Sequence, residues 1–251
     1  MQIIEGIVLK ERSVGEQDKF IDILTKESGV LEVSVKGARK IAGKSGSSTQ
    51  LFAYSRFCLQ QRRERMYLNS AEPIHIFYGL RSSLTGLSLA SYFAQVLKFC
   101  CTEAYSGNGD VMRLTLNTLH YLEKNLRSEE LLKSIFELRL MSEIGYMPDI
   151  LACRSCGKYE PRELLFYTHD GSFCCADCGS ETNDSESDYF KIKLPVLNAV
   201  RHIVLADFDR LFNFRVSEPV QLALSTLSEA YLTEHLERRF NTLDFYKSLK
   251  I

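Results

Sequence analysis

Two cysteine pairs, Cys153-x-x-Cys156 and Cys175-x-x-Cys178, stand eighteen residues apart, and they constrain the surrounding chain more than any other feature. Each pair places two thiols on one tight turn. Two such turns facing each other supply the four sulfurs that a tetrahedral structural zinc takes. Gly157 and Gly179 each follow the second cysteine of a pair, where a residue without Cβ takes positive φ and lets backbone N–H groups turn toward the sulfurs. Cys174 opens a second register, Cys174-x-x-x-Cys178, but only Cys175 repeats the spacing of the first pair. Four sulfurs close the coordination shell, so a metal held this way shapes the chain and does no chemistry. Residues 149–190 carry few aliphatic side chains and end in Asp184, Glu186 and Asp188, so burial alone is expected to fall short of the ordering entropy. Metal binding, worth about 10–16 kcal/mol in small zinc peptides, would supply the difference.

The competing readings of these cysteines are reduced thiols, a redox pair or disulfides. Met1-Gln2-Ile3-Ile4-Glu5 lacks the basic start and apolar run of an export signal, and the longest uncharged stretch, residues 82–97, is too short and too polar to span a bilayer. A cytosolic protein is therefore expected, in which disulfides are the weakest of the three. Cys58, Cys100 and Cys101 sit among apolar neighbours and read as small core residues.

At 251 residues, 45% of them hydrophobic, the chain can bury a sizeable core and has room for two domains and an insert. The net charge of −1 is unevenly distributed. Between Val33 and Met66 the basic residues Lys36, Arg39, Lys40, Lys44, Arg56, Arg62, Arg63 and Arg65 face a single acid, Glu64, while acids dominate from Asp177 to Asp188. Such segregation gives one face of a nearly neutral molecule a positive potential suited to a phosphate backbone. On charge alone, a solvated surface run is an equal alternative.

The first 80 residues read as strands: Ile3 to Leu9, Phe20 to Leu24, the alternating run Leu31 to Lys36, Leu51 to Leu59 and Met66 to Leu68. Ser28-Gly29 and Gly37 break them, and Gly43 to Ser48 reads as a mobile loop carrying Lys44. Five short strands suggest a small closed barrel, of which the OB-fold is the common single-strand binder. Phe52, Tyr54, Phe57 and Tyr67 interleave with the basic cluster, where an exposed ring could stack on a base and a buried one would be core. From Ser83 the period becomes helical. Ala90, Phe93, Ala94, Leu97, Cys101 and Ala104 form one apolar stripe, and Met112, Leu116, Leu119, Leu122 and Leu126 form a second with Asp110 as candidate N-cap. Ser128 caps a third helix, apolar almost all round from Leu131 to Ile144 and stopped by Gly145 and Pro148, which should lie at the centre of a helical domain. Pro195 falls in the first turn of another helix, and Ser217 opens a final one. The expected fold class is α+β: an N-terminal five-stranded OB-fold barrel (residues 1–80), an all-helical domain (81–148 and 191–251) and an inserted four-cysteine zinc module (149–190).

Two blocks carry a family resemblance. The first is Gly15-Glu16-Gln17-Asp18, Thr25-Lys26-Glu27-Ser28-Gly29 and Val35-Lys36-Gly37-Ala38-Arg39-Lys40. The second is Phe136-Glu137-Leu138-Arg139-Leu140, Gly145, Pro148, Cys153-Arg154-Ser155-Cys156-Gly157 and Cys175-x-x-Cys178. With these the chain resembles, along its length, the RecO family of bacterial recombination mediators. It departs at Asp170-Gly171, a glycine pair in many members, and at Arg238-Arg239-Phe240, a loose match to a basic tail. The resemblance implies an OB barrel, a helical domain and a zinc insert. It further implies binding of single-stranded DNA, annealing of complementary strands, and help in replacing single-strand-binding protein with the RecA recombinase. RecR and the C-terminal tail of single-strand-binding protein would be partners, in the nucleoid-associated cytoplasm, with duplex binding left open.

This function needs charge and surface but no bond-breaking. The sequence has no phosphate loop with its lysine, no nucleophile elbow and no paired carboxylates at helical spacing, and its five histidines, His75, His120, His169, His202 and His235, are scattered. The chain therefore reads as no enzyme, with Lys36, Arg39, Lys40, Lys44, Arg56, Arg62, Arg63 and Arg65 as the DNA-binding set and Cys153, Cys156, Cys175 and Cys178 as metal ligands. Two alternatives remain: an adaptor whose basic strip binds protein acids, and a zinc hydrolase with three protein ligands and a bound water.

Overall fold

The computed structural model describes residues 1–37, 46–102, 109–179 and 189–250. The first five strands, β1 (Gln2–Val14), β2 (Asp18–Thr25), β3 (Val30–Val35), β4 (Ala53–Arg62) and β5 (Arg65–Ile76), close into a barrel in the order β1-β2-β3-β5-β4. All pairings are antiparallel except β3 with β5. This is the Greek-key closure of an OB-fold, as the sequence led us to expect. Alternate residues turn inward, so Val8, Ile21, Ile23, Val33, Phe57 and Leu59 fill the barrel.

Two strands outrun the apolar pattern that revealed them. β1 stays paired with β2 to Val14 although residues 10–14 are exposed and show no alternation. β5 continues to Ile76 through Pro73, which cannot donate to a ladder. A bulge accommodates it: Tyr54 pairs with His75 and Ser55 with Pro73, leaving Ile74 as the extra residue. The expected mobile loop at Gly43 to Ser48 is corrected in part. Residues 43–45 lie outside the described ones, but Ser47–Thr49 form a 3-10 turn in which Ser48 and Thr49 are buried, and Ser55 Oγ donates to the Ser48 carbonyl at 2.9 Å.

The family motifs have local physical reasons. Asp18 Oδ1 accepts from Gly37 N at 2.8 Å, tying the β1–β2 turn to the end of β3. In the Thr25–Gly29 turn, Thr25 Oγ1 donates to the Gly29 carbonyl at 2.9 Å, and Gly29 adopts φ +62°. A Cβ at Gly29 would stand 2.4 Å from the Thr102 carbonyl oxygen, because the end of the next helix seats there and Val30 N donates to Cys101 O at 2.8 Å.

After the barrel come α1 (Leu84–Cys100), α2 (Gly109–Glu123) and α3 (Glu129–Glu143). The chain continues with β6 (Glu163–Tyr167), β7 (Ser172–Cys175), α4 (Ala176–Gly179), β8 (Phe190–Lys193), α5 (Leu194–Leu205), α6 (Phe208–Leu211), α7 (Glu218–Leu236) and α8 (Asn241–Ser248). Two compact units result, residues 1–125 with 240–251, and residues 126–239. Ser83 caps α1, its Oγ accepting from Gly86 N at 3.0 Å, and Ser128 caps α3, accepting from Leu131 N at 3.4 Å. Asp110 lies inside the first turn of α2 and is not its cap, so it acts through its charge at the positive end of the helix. α1 ends at Cys100, and Ala104 of its expected stripe lies outside the described residues. Ser217 does precede a helix, but α7 is not the last; α8 follows it, short enough to escape a periodicity search.

In the second unit α3 is buried on nearly every face, packed between α5 and α7. Its two buried ionic side chains, Lys133 and Glu137, are spoken for. Lys133 Nζ meets Glu137 Oε2 at 3.1 Å and Glu229 Oε2 at 3.2 Å, while Ser228 Oγ donates to Glu137 Oε2 at 2.6 Å. Arg139 closes the carboxyl end of α5, one nitrogen donating to the carbonyls of Val204 at 2.9 Å and Ala206 at 3.0 Å, with its guanidinium 4.6 Å from the Phe208 ring.

The segment expected to be poor in core is better packed than its composition suggested. β7, β6 and β8 form a three-stranded sheet that buries Leu164, Leu165, Phe166, Tyr167 and Phe173, and its third strand comes from beyond the insert. Arg201 of α5 clasps this segment, donating to the carbonyls of Ile150, Leu151 and Tyr159 at 2.8, 2.8 and 2.7 Å. No helix among the described residues is long and apolar enough to cross a membrane.

Candidate metal centre and nucleic-acid face

The two cysteine pairs meet. The sulfurs of Cys153, Cys156, Cys175 and Cys178 all lie within 4.8 Å of one another, with Cys156 and Cys175 at 3.7 Å. Metal–sulfur bonds of about 2.3 Å in a tetrahedron separate sulfurs by about 3.8 Å, so the group can hold a metal ion with little adjustment. β7 delivers Cys175 and α4 delivers Cys178, while the first pair sits on a turn closed by Gly157 N donating to Cys153 O at 2.9 Å. Gly157 has the positive φ expected of it, +73°. Gly179 does not; it closes α4, and a Cβ there would stand 2.4 Å from Leu165 Cδ1, so a larger residue would have to displace that side chain.

Burial would raise the Cys153 thiol, but backbone N–H groups of Cys175, Cys156 and Ser155 aim at its sulfur, the first at 3.2 Å, and bring its pKa down to about 6. Cys153 is thus prepared as a thiolate. Cys178, hydrogen-bonded to the sulfurs of Cys175 and Cys156, is held well above the ordinary thiol range. Cys174 lies 3.8 Å from Cys153 Sγ and 3.4 Å from Ser155 Oγ, beside the four-sulfur group. Burial pushes the thiols of Cys100 and Cys101 up to about 12, which fits packed and unreactive side chains.

The basic residues divide into three groups. Lys36 and Arg62 converge on one ring, with Lys36 Nζ 5.5 Å and Arg62 Cζ 5.6 Å from the centroid of Tyr67. Arg63, at φ +54°, turns the β4–β5 hairpin, and Arg65 pairs across it with Arg62, so both adjoin the same rim of the barrel. Arg39, Lys40 and Lys44 lie outside the described residues. Arg56 stands apart, about 20 Å down β4 from Arg62 at about 3.4 Å per residue, with its guanidinium 2.9 Å from Glu5. That contact, and Tyr54 Oη donating to the same carboxylate at 2.8 Å, holds Glu5 below the usual carboxylate range.

Of the four aromatics read as stacking candidates, Phe52 and Phe57 are buried and Tyr54 is engaged with Glu5. Tyr67 faces outward. Strand register places it in a lateral row across all five strands: Arg12 opposite Phe20, Phe20 opposite Ser34, Ser34 beside Tyr67, and Tyr67 opposite Gln60. Phe20 read only as a strand residue in the sequence. The missed signal was alternation, since Ile21 and Ile23 inside the barrel require Phe20 and Asp22 outside it. One row further along, Asp22 is almost buried and held by Arg12 at 3.3 Å and by Lys98 of α1, while Arg12 also meets Glu32.

A five-strand OB barrel, followed by helices and a four-cysteine group able to hold a metal, defines the class of protein. Residues 1–77 match the family described as Recombination protein O N terminal, and residues 81–244 the one described as Recombination protein O C terminal. Among its relatives, the chain is 32% identical to the DNA repair protein RecO of Acetivibrio thermocellus over 97% of this chain and 95% of that one. It is 31% identical to the DNA repair protein RecO of Alkaliphilus metalliredigens over 98% of each. The chain belongs to the RecO family, and with it to DNA repair and recombination.

Proposed function

We propose that the chain is a recombination mediator whose barrel binds single-stranded DNA at the rim formed by Lys36, Arg62, Arg63 and Arg65, with Arg39, Lys40 and Lys44, outside the described residues, as the further basic residues of the set. Arg56, committed to Glu5, stands at the margin of this surface. The observation that carries the reading is the convergence of Lys36 and Arg62 on the outward ring of Tyr67, in a chain of the RecO family. Phosphates neutralised there leave bases free for a complementary strand, which is the physical requirement for annealing. The barrel, residues 1–80, acts in this role together with a helical domain, 81–148 with 191–251, and a metal module, 149–190. It acts in the cytoplasm with RecR and the C-terminal tail of single-strand-binding protein, so that RecA can load on covered strands, and no covalent bond is made or broken.

The metal is zinc, held by Cys153, Cys156, Cys175 and Cys178. All-sulfur donors at tetrahedral spacing suit it, and a closed shell gives it a structural role. For DNA, the log of affinity for a single-stranded oligonucleotide should fall with log salt at about −0.7 per phosphate contacted, so about 4–6 contacts give a slope near −3 to −4. Changing Lys36, Arg39 and Lys40 together to alanine should flatten that slope and weaken binding. A flat response in the unaltered protein, or full binding by the triple variant, sinks the assignment.

A further inference from the structure

The lateral row on the barrel does more than display charge. Phe20 and Tyr67 sit on β2 and β5 with only Ser34 of β3 between them, and neither ring belongs to the barrel core. Two strand spacings of about 4.8 Å set their backbones about 10 Å apart on one face. The residues flanking each ring along its strand, Lys19 and Ile21, Met66 and Leu68, point the other way by alternation. The electrostatics of the two ends differ. Tyr67 has Lys36 and Arg62 beside it. Phe20 has the Arg12 guanidinium 5.8 Å from its centroid, but Arg12 is engaged by Asp22 and Glu32. Together with Lys98, Arg12 neutralises that acid pair, so phosphates approaching the row meet no net negative neighbour.

We propose that Phe20 and Tyr67 are two separate stacking platforms, each taking one nucleobase of a single strand whose backbone crosses above Ser34. This rests on the reading that the barrel binds single-stranded DNA, and it adds which residues recognise the bases. Stacked neighbouring bases are about 3.4 Å apart, so rings about 10 Å apart cannot both serve one undisturbed stack. The strand must open between them. Ser34, buried in the floor between the two rings, is the small residue of the row; a larger side chain in the same register would rise between them. Bases parted in this way present their pairing edges, which suits annealing. The phosphates gather at the Tyr67 end, where Lys36 and Arg62 are free of acids among the contacts described.

The test uses the full, metal-loaded chain. Unaltered protein is titrated with a single-stranded oligonucleotide and with an abasic oligonucleotide of equal length and phosphate count. Phe20→Leu and Tyr67→Leu, which keep apolar bulk but cannot stack, are titrated in parallel at several salt concentrations. The abasic strand should bind the unaltered protein more weakly. Each leucine variant should lose about five- to a hundredfold in affinity for the normal strand. Phe20→Leu should keep both its affinity for the abasic strand and the unaltered salt slope, since its phosphate contacts survive; Tyr67→Leu, which also removes the ring that Lys36 and Arg62 meet, should lose more affinity for the normal strand than for the abasic one. A 2-aminopurine placed in the strand should brighten on binding as its stacking is broken, and should brighten less with either variant. Equal binding of normal and abasic strands by the unaltered protein overturns the platforms while leaving DNA binding in place. A variant that weakens both strands alike, or a flattened salt slope in Phe20→Leu, shows general damage to the face and also overturns them. If no oligonucleotide binds at all, both readings fall.

Discussion

His235 shows how a single residue's environment sets its chemistry. Its ring meets Tyr231 edge-on with centroids 4.3 Å apart, and its Nε2 is buried with no hydrogen-bond partner among the described residues. Burial lowers its pKa from the ordinary 6.5 despite a hydrogen bond to the Thr168 backbone and the nearby acids Glu234 and Asp170. Above pH 6.5 the ring is neutral in both folded and unfolded chains. As pH falls below 6.5 the unfolded chain takes the proton first, so the fold loses stability until the lower, folded pKa is passed. A ring-proton NMR titration of the metal-loaded protein should put the His235 midpoint below 6.5; a midpoint at or above that value shows that burial does not govern it. The sequence could not reveal this, because His235 read as one of five scattered histidines, and its burial depends on Tyr146 and Tyr231. The cluster of four cysteines was legible because the spacing within each pair is local. The packing at Gly179 was not, because the side chain that a Cβ there would displace belongs to Leu165, distant in sequence.

Among the elements, α3 is bound to α7 through a buried ionic group. Lys133 and Glu137 are one turn apart, and both are almost wholly buried against α7. A buried pair is weak evidence of stabilisation, since both charges were taken out of water, but losing one partner strands the other. Lys133→Met should therefore destabilise the protein by about 3–5 kcal/mol, measured as a shift in the chemical denaturation midpoint of the unit containing α3. The double change Lys133→Met with Glu137→Leu should recover most of that loss. A single variant as stable as the original, or a double variant worse than the single one, would show that Glu229 and the serines of α7 carry the network without the pair. The sequence foretold α3 as the central helix from its nearly continuous apolar surface, while the contacts that Lys133 and Glu137 make on α7 are visible only in the fold. It also yielded the barrel strands wherever inside and outside alternate. It fell short on the ends of β1 and β5, where pairing with a neighbour and a bulge at Pro73 extend the strands past any apolar pattern, and on all three strands of the second sheet, β6, β7 and β8, the last of which pairs with β6 across more than twenty residues.

For the chain as a whole, the question is how much of it depends on the metal. The barrel has its own core, built from strand residues such as Val8, Ile23, Val33 and Phe57, and contains none of the four clustered cysteines. In the unit of residues 126–239, by contrast, the turn at Cys153–Gly157 and the join of β7 to α4 are pinned at the sulfurs. The sheet behind them buries only a few large side chains, Leu164, Phe166, Tyr167 and Phe173 among them, with the Arg201 clasp at its margin. Stripping the metal should therefore loosen residues 150–179 and leave the barrel intact. Hydrogen exchange before and after chelation should show protection lost across that range while β1 to β5 keep theirs. Thiol labelling at pH 8 gives a second readout. Cys153, Cys156, Cys175 and Cys178 should become reactive after chelation, whereas Cys100 and Cys101, whose thiols burial pushes to about 12, should stay unlabelled because their own surroundings do not involve the metal. If barrel amides lose protection in step with residues 150–179, or Cys101 labels as fast as Cys156, the metal supports the whole chain and not one segment of it. If neither region changes, the buried sheet and the Arg201 clasp suffice alone, and the composition of residues 149–190 was a poor guide to their stability.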